Sequence, residues 1–249
     1  MQTLIRHLIL LAAAGLAACA PMQPTAPTVP EAPGHTVFLE AQRAFESGQY
    51  ADALNGYITF LREAYDDPSA DVALYKIGKI FQLTGRSEDA RAVFSRLAHE
   101  FPNSAFIPEA KLETLKILVD SGDYESAVNL GRAYVEAADS KTRRTPFYTI
   151  IAEAYAAMDA PLQAARYRYL AYVNASGEAR PIAWENLKKS VEGLGAEDIH
   201  ALVAQVTDQR AMGFMLYRLG MALIMEEQYD DALDVLSAFV DQFPAHPDH

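Results

Sequence analysis

The sequence predicts an all-α chain, a right-handed superhelix of about six helical hairpins and so about twelve helices. Three observations predict it. Ala and Leu are abundant, β-branched runs are scarce, and no stretch alternates with period two. Large, small and aromatic residues recur in a fixed order, most clearly in residues 72–102. There Leu74, Ile77, Gly78 and Phe81 share one helix face, and Ala90, Phe94 and Leu97 share a face of the next helix. The turn residues Gly48, Gly85, Gly122 and Asp159 stand at a constant spacing of 37. One hairpin cannot bury its apolar faces alone, so the pattern demands stacked neighbours.

The chain begins outside that pattern. Arg6 gives residues 1–18 a short positive start, and Leu8 to Leu16 form an apolar stretch too short for a stable span, so this segment is expected to be a signal peptide. Leu16-Ala17-Ala18-Cys19 resembles a bacterial lipobox, which implies that Cys19 carries lipid and becomes the first residue of the mature chain. Cys19 is also the single cysteine, so no intramolecular disulfide forms. Two or more acyl chains anchor firmly, since each buried methylene adds about 0.8 kcal/mol. Ala20 stands where an Asp would signal inner-membrane retention, so the resemblance implies the periplasmic face of the outer membrane. Residues 19–34 are rich in proline, which prevents helix and favours extended polyproline II, a semi-rigid tether.

The repeats occupy residues 35–249. In the first unit Ala41, Ala53, Tyr57 and Phe60 take the interlocking positions, around the turn Ser47-Gly48-Gln49-Tyr50. In the second, Gly78 and Ala90 let two antiparallel helices approach closely enough for Ile77, Phe81 and Phe94 to interlock. The third repeats this with Leu115, Leu118, Ala127 and Tyr134. The fourth has Ile151, Ala152, Tyr155, Ala164 and Ala171, with Asp159 replacing Gly at the turn and Pro161 opening the second helix. A divergent fifth hairpin is expected at about 178–208, broken at Gly193 to Ala196, with no pattern role for Trp184 or His200. The sixth is regular: Leu216, Leu219, Gly220 and Leu223, then Tyr229, Ala232, Leu236, Phe239 and Pro244. Its first helix is so rich in Met and Leu that a neighbour must cover it: the fifth hairpin, a missing C-terminal domain, or a second copy.

This order of large, small and aromatic positions resembles the tetratricopeptide signature, with Leu74 in the usual Trp place and Phe81 in that of Tyr. The segments YADALNGYITFLREAYDDP, ARAVFSRLAHEFPNSAFIPEA and YDDALDVLSAFVDQFPAHP are similar to junctions in bacterial envelope lipoproteins that carry such repeats. These include the β-barrel assembly lipoprotein, the coordinator of peptidoglycan synthesis with outer-membrane constriction, and the repeat region of penicillin-binding-protein activators. The resemblance implies a scaffold that binds an envelope protein or peptide, most concretely one regulating peptidoglycan synthesis; a role in outer-membrane β-barrel assembly is the alternative.

A net charge of −12, with acids scattered along the helices, disfavours nucleic acid, which needs clustered Lys and Arg. No histidine pairs with the cysteine or with a second histidine one turn away across a Glu, and there is no phosphate loop or nucleophile elbow. Neither a metal, a cofactor nor an enzyme is therefore expected. His246 and His249 form at most a weak terminal metal site.

What remains is surface. In such arrays the first helix of each hairpin lines a concave groove. By register the lining is Phe38, Gln42, Phe45 and Glu46, then Tyr75, Lys79 and Gln82, then Leu112, Lys116 and Val119. Aromatic anchors with Lys79 and Lys116 suit a peptide with an acidic element. Two uses of the aromatics stay open: anchoring a peptide, or packing beneath the tether or a neighbouring helix. Arg143, Arg144, Arg166 and Arg168 interleave with Tyr148, Tyr167, Tyr169 and Tyr172, a mixture that suits either stacking on a glycan or nucleotide, or packing between repeats.

Overall fold

The structure is a computed structural model that describes residues 34–244. The leader, Cys19, the bulk of the tether and the terminal histidines lie outside the described residues. Among the described residues there are twelve α-helices and no strand. They pair as α1 (His35–Glu46) with α2 (Tyr50–Glu63), α3 (Ala70–Leu83) with α4 (Ser87–Glu100), and α5 (Ile107–Asp120) with α6 (Tyr124–Ala137). Then come α7 (Lys141–Ala157) with α8 (Pro161–Asn174), α9 (Ala179–Glu192) and α10 (Ala196–Val203), and α11 (Gln209–Met225) with α12 (Tyr229–Gln242). None of these helices is long and apolar enough to cross a membrane.

The regular turns share one backbone motif. At the end of α3, Gly85 has φ +76°, its N–H bonds the Gln82 carbonyl, and the Arg86 N–H reaches back to Phe81 at 2.8 Å. This is the left-handed helix stop that a glycine adopts without Cβ strain. Gln49 to Ala44, Asp123 to Leu118, Ala160 to Tyr155 and Gln228 to Leu223 repeat the long bond. Asp159 and Glu227 hold the left-handed position without being glycine, at φ 56° and 61°. The 37-residue register of the first four turns is therefore a backbone repeat.

Small residues set how closely the helices approach. A Cβ on Gly78 would lie 2.4 Å from the Phe94 ring, one on Gly131 2.7 Å from Ile151, and one on Gly220 2.5 Å from Leu236. Ala53 and Ala90 are wholly buried. The core runs along the array as three linked clusters: α1 to α5, α5 to α7, and α8 to α12.

The fifth unit departs from the hairpin expected at 178–208. Both helices are present, but α9 lies chiefly on α8, and α10 on α11 and α8, rather than on one another. The physical reasons are local. Gly193 has φ −93°, so the left-handed stop is missing, and α10 has only 8 residues. Trp184, far from lacking a role, is buried between Tyr172 and Phe214 at ring distances of 5.1 and 5.5 Å. A carboxylate oxygen of Glu226 accepts the Ala196 N–H at 2.8 Å, capping α10 from the next unit. The fifth unit thus covers the Met-rich helix: Phe214 and Met215 are buried and Met212 packs on the same cluster. Met225 stays 84% exposed.

Candidate functional site

Side chains reach from one first helix to the next across α1, α3, α5 and α7, so these helices share a face. The Lys76 ammonium on α3 sits 4.3 Å from the Phe45 ring centre on α1. Lys79 on α3 pairs with Glu113 on α5 at 3.2 Å. This face is the candidate groove.

Its most organised part is a polar cluster around Glu113. The Lys79 ammonium donates to the Gln82 side-chain oxygen at 2.9 Å, and the Gln82 amide donates to Glu113 at 2.8 Å. Lys116 approaches the same carboxylate at 3.4 Å, and Glu113 is only 12% exposed. Burial alone would raise the Glu113 carboxyl. The Gln82 amide and the two ammonium groups together outweigh that and hold it below the usual carboxylate range. One helix further along, burial pushes the Glu153 carboxyl up, with Arg168 and Lys116 only partly opposing. Three of the expected groove residues, Lys79, Gln82 and Lys116, therefore meet on a fourth that the spacing argument did not name. Glu113 lies one helical turn before Lys116, which was the available signal.

The aromatic expectations divide. Phe38 is 8% exposed, with its ring 5.8 Å from Tyr57 and 5.1 Å from Phe60; it belongs to the core, so its assignment to the groove is corrected. Its position three residues before Ala41 puts both on the inward face of α1. Tyr75 stacks on Phe106 at 4.9 Å, and burial raises its phenol above its ordinary value. It fastens the second hairpin to the start of α5. Phe45 stays partly exposed between Tyr50 and Lys76, and Gln42 beside it donates to Glu46 at 3.1 Å. Leu112 and Val119 pack on the middle cluster.

Tyrosines of the fourth hairpin bond within the protein. Arg132, from α6, donates to the hydroxyls of Tyr167 at 2.8 Å and Tyr155 at 2.6 Å. Tyr169 and Tyr172 are buried; the Tyr169 hydroxyl accepts the Thr207 N–H at 2.8 Å, and the Tyr172 hydroxyl donates to Asp208. Arg180 bonds the same Tyr172 and Asp208, which ties α8, α9 and α11 together. Tyr167, Tyr169 and Tyr172 of this mixture, with Tyr155, thus serve packing between repeats. On the opposite side α4, α5 and α6 enclose an open cavity of about 520 Å³, with Glu88, Arg91, Lys111 and Tyr134 on an otherwise mainly apolar wall. Among the described residues no group of three or more His, Cys, Asp or Glu side chains is placed to hold a metal ion.

Residues 38–105 and 215–246 each match a tetratricopeptide repeat family. The structure is similar to a tetratricopeptide repeat protein from Parabacteroides merdae ATCC 43184, with a TM-score of 0.52 at 10% identity over 84% of this chain and 79% of that one. It is also similar to the apo form of RapI, with a TM-score of 0.50 at 13% identity over 85% of this chain and 70% of that one. MamA from Desulfovibrio magneticus RS-1 aligns over 86% of this chain and 97% of its own, at 16% identity and a TM-score of 0.47. No curated protein sequence matches the chain. The array is thus a tetratricopeptide-repeat superhelix, the fold of a scaffold for protein–protein interaction.

Proposed function

We propose that the protein is a lipid-anchored scaffold at the periplasmic face of the outer membrane, holding a partner that takes part in peptidoglycan synthesis. The observation that carries this reading is Cys19, alone in a lipobox-like Leu16-Ala17-Ala18-Cys19 and followed by a proline tether ahead of the repeats. The repeats give it a groove, and the junction Phe101-Pro102-Asn103-Ser104, which resembles those of envelope lipoproteins, supports an envelope partner. The same junction favours a second reading, membership of the machinery that inserts β-barrels in the outer membrane.

The geometry narrows how the groove would work. Lys79 and Lys116 share the single carboxylate of Glu113, so the cluster keeps one net positive charge, with Lys116 the more exposed of the two ammonium groups. An acidic partner side chain would compete with Glu113 at Lys79 but could reach the more exposed Lys116, whereas Gln42 and Phe45 offer contact without competition. A photo-crosslinking residue in place of Gln42, used in intact cells, tests the reading. Recovery of a peptidoglycan synthase or its regulator is expected; recovery of the β-barrel insertion machinery would replace it with the second reading. Cys19→Ser is expected to abolish labelling by a palmitate analogue, and persistent labelling would remove the anchor from the account.

A further inference from the structure

The first and last hairpins are built on nearly the same second helix. Along α2 and α12, Tyr50, Ala53, Leu54, Phe60 and Leu61 correspond without a gap to Tyr229, Ala232, Leu233, Phe239 and Val240. The inward positions behave alike: Ala53 and Phe60 are 0% exposed, Ala232 and Phe239 2%. The outward positions do not. Leu61 is 9% exposed, because α3 lies on that face and brings Ala70, Ala73 and Leu74 into the same core. On α12 Leu233 is 66% and Val240 46% exposed, and Tyr229 continues the stripe at 63%. Among the described residues nothing takes the place of α3.

The flank of the stripe says what fits it. Asp230, Asp234 and Asp241 run along one edge of the α12 stripe, where α2 has Ala51, Asn55 and Arg62. Helix α12 contains no Lys or Arg at all. Beside it α10, α11 and α12 enclose about 480 Å³ with Glu197, Glu226, Asp231 and Asp234 in the lining. A second copy docked face to face would set these acids against their own equivalents, and like charges at close range repel. We propose that this face docks a basic amphipathic helix of a protein partner, seated on α12 as α3 is seated on α2. Apolar residues spaced three and four apart would cover Tyr229, Leu233 and Val240, while Lys or Arg on its edge would meet the aspartates. This surface is separate from the concave groove, so one scaffold would hold two partners.

The probe is a pair of helical peptides carrying the apolar positions of α3, one with Lys at its edge positions and the other with Glu, titrated against the full chain in detergent. The Lys peptide is expected to bind at least about tenfold more tightly than the Glu peptide, and to weaken as salt is raised. Leu233→Glu with Val240→Glu should remove that binding, and as exposed changes they leave the helical circular dichroism intact. Phe45→Ala, in the concave groove, should not affect it. Equal affinity for the two peptides, binding of neither, or binding indifferent to Leu233 and Val240 would overturn the proposal. So would a dimer in light scattering that Leu233→Glu dissociates, since the face would then be a contact between copies.

Discussion

The second hairpin and the fifth unit solve the same problem in opposite ways. In the second, two small residues bring α3 and α4 together: Gly78 leaves room for the Phe94 ring, and Ala90 is wholly buried. The contact is local, closed by a glycine stop, and nearly all of it is written in one stretch of 31 residues, 72–102. In the fifth unit α9 and α10 pack on α8 and α11 rather than on each other, with Trp184 buried between Tyr172 and Phe214, so the two helices are fixed by neighbours instead. Tyr169 and Tyr172 bond the α10–α11 connection and the α11 cap, Arg180 ties α9 to Asp208, and Glu226 caps α10. Where small residues set the distance, a hairpin is a unit in its own right. Where a large aromatic bridges neighbouring units, stability is shared over three units.

The widest gap between the two regions should appear on truncating Trp184. Trp184→Ala removes a ring packed on Tyr172 and Phe214 and also loses the Arg210 guanidinium stacked 4.6 Å above it. Large-to-small changes of this kind cost about 3–5 kcal/mol. Native-state hydrogen exchange should show faster opening across α8 to α12 together, with α1 to α4 unaffected. Ala90→Leu, which overpacks the second hairpin at about 1–3 kcal/mol, should instead open mainly α3 and α4. Protection lost evenly across the array in both variants would abolish the distinction between local and shared stability.

A smaller effect is expected at Glu113, the one place where the groove is also an electrostatic joint. Its folded-state carboxyl lies below the ordinary value of about 4.3. A depressed carboxylate adds stability that is present above its unfolded pKa and is lost as pH falls through the folded one. Glu153, raised by burial, has the opposite sign: it favours the fold while protonated, and that advantage disappears as pH rises through its folded value. Glu113→Gln should therefore cost about 1–2 kcal/mol at neutral pH, by leaving two lysines without a countercharge, and less at pH 3, on the acid side of its unfolded value. Glu153→Gln should be neutral or stabilising at pH 7. Thermal unfolding at the two pH values checks both, and a Glu113→Gln loss that is the same at pH 3 and pH 7 would show that the cluster is packing rather than charge.

The same contrast explains what the sequence revealed. The regular hairpins, their turn register and the close contact at Gly78 were legible because each depends on residues within one hairpin. The bonds of Tyr169 to the α10–α11 connection, of Arg180 to Asp208 and of Glu226 to Ala196 were not, because their partners are 28 to 39 residues away and follow no fixed spacing. In the groove the structure brings Lys79, Gln82 and Lys116 together on Glu113, a countercharge the spacing argument did not name. Phe38 was misplaced because α1 has aromatics on either side of Ala41. Seven residues separate Phe38 from Phe45, which brings them near one another, and only packing decides which turns inward. Ring contacts with Tyr57 and Phe60 decide it for Phe38.

The smallest expected effect isolates the backbone from everything else. Gly85 and Glu227 occupy the same left-handed place at the ends of α3 and α11, at φ 76° and 61°. A Cβ at Gly85 would meet nothing within 4 Å, so conformation alone separates the two positions. A side chain in this region costs about 1–2 kcal/mol, partly offset because glycine loses more freedom on folding, by about 0.5–1 kcal/mol. Glu227→Gly should thus stabilise the last hairpin by a few tenths of a kcal/mol, up to about 1. Gly85→Glu should destabilise the second by a similar amount, visible as a shift of about 2–4 °C per kcal/mol in a chain of this size. The two changes are mirror images in chemistry and in place. If both were to destabilise, Glu227 would hold its turn through its carboxylate rather than in spite of its backbone, and the last turn would be a different device from the first four.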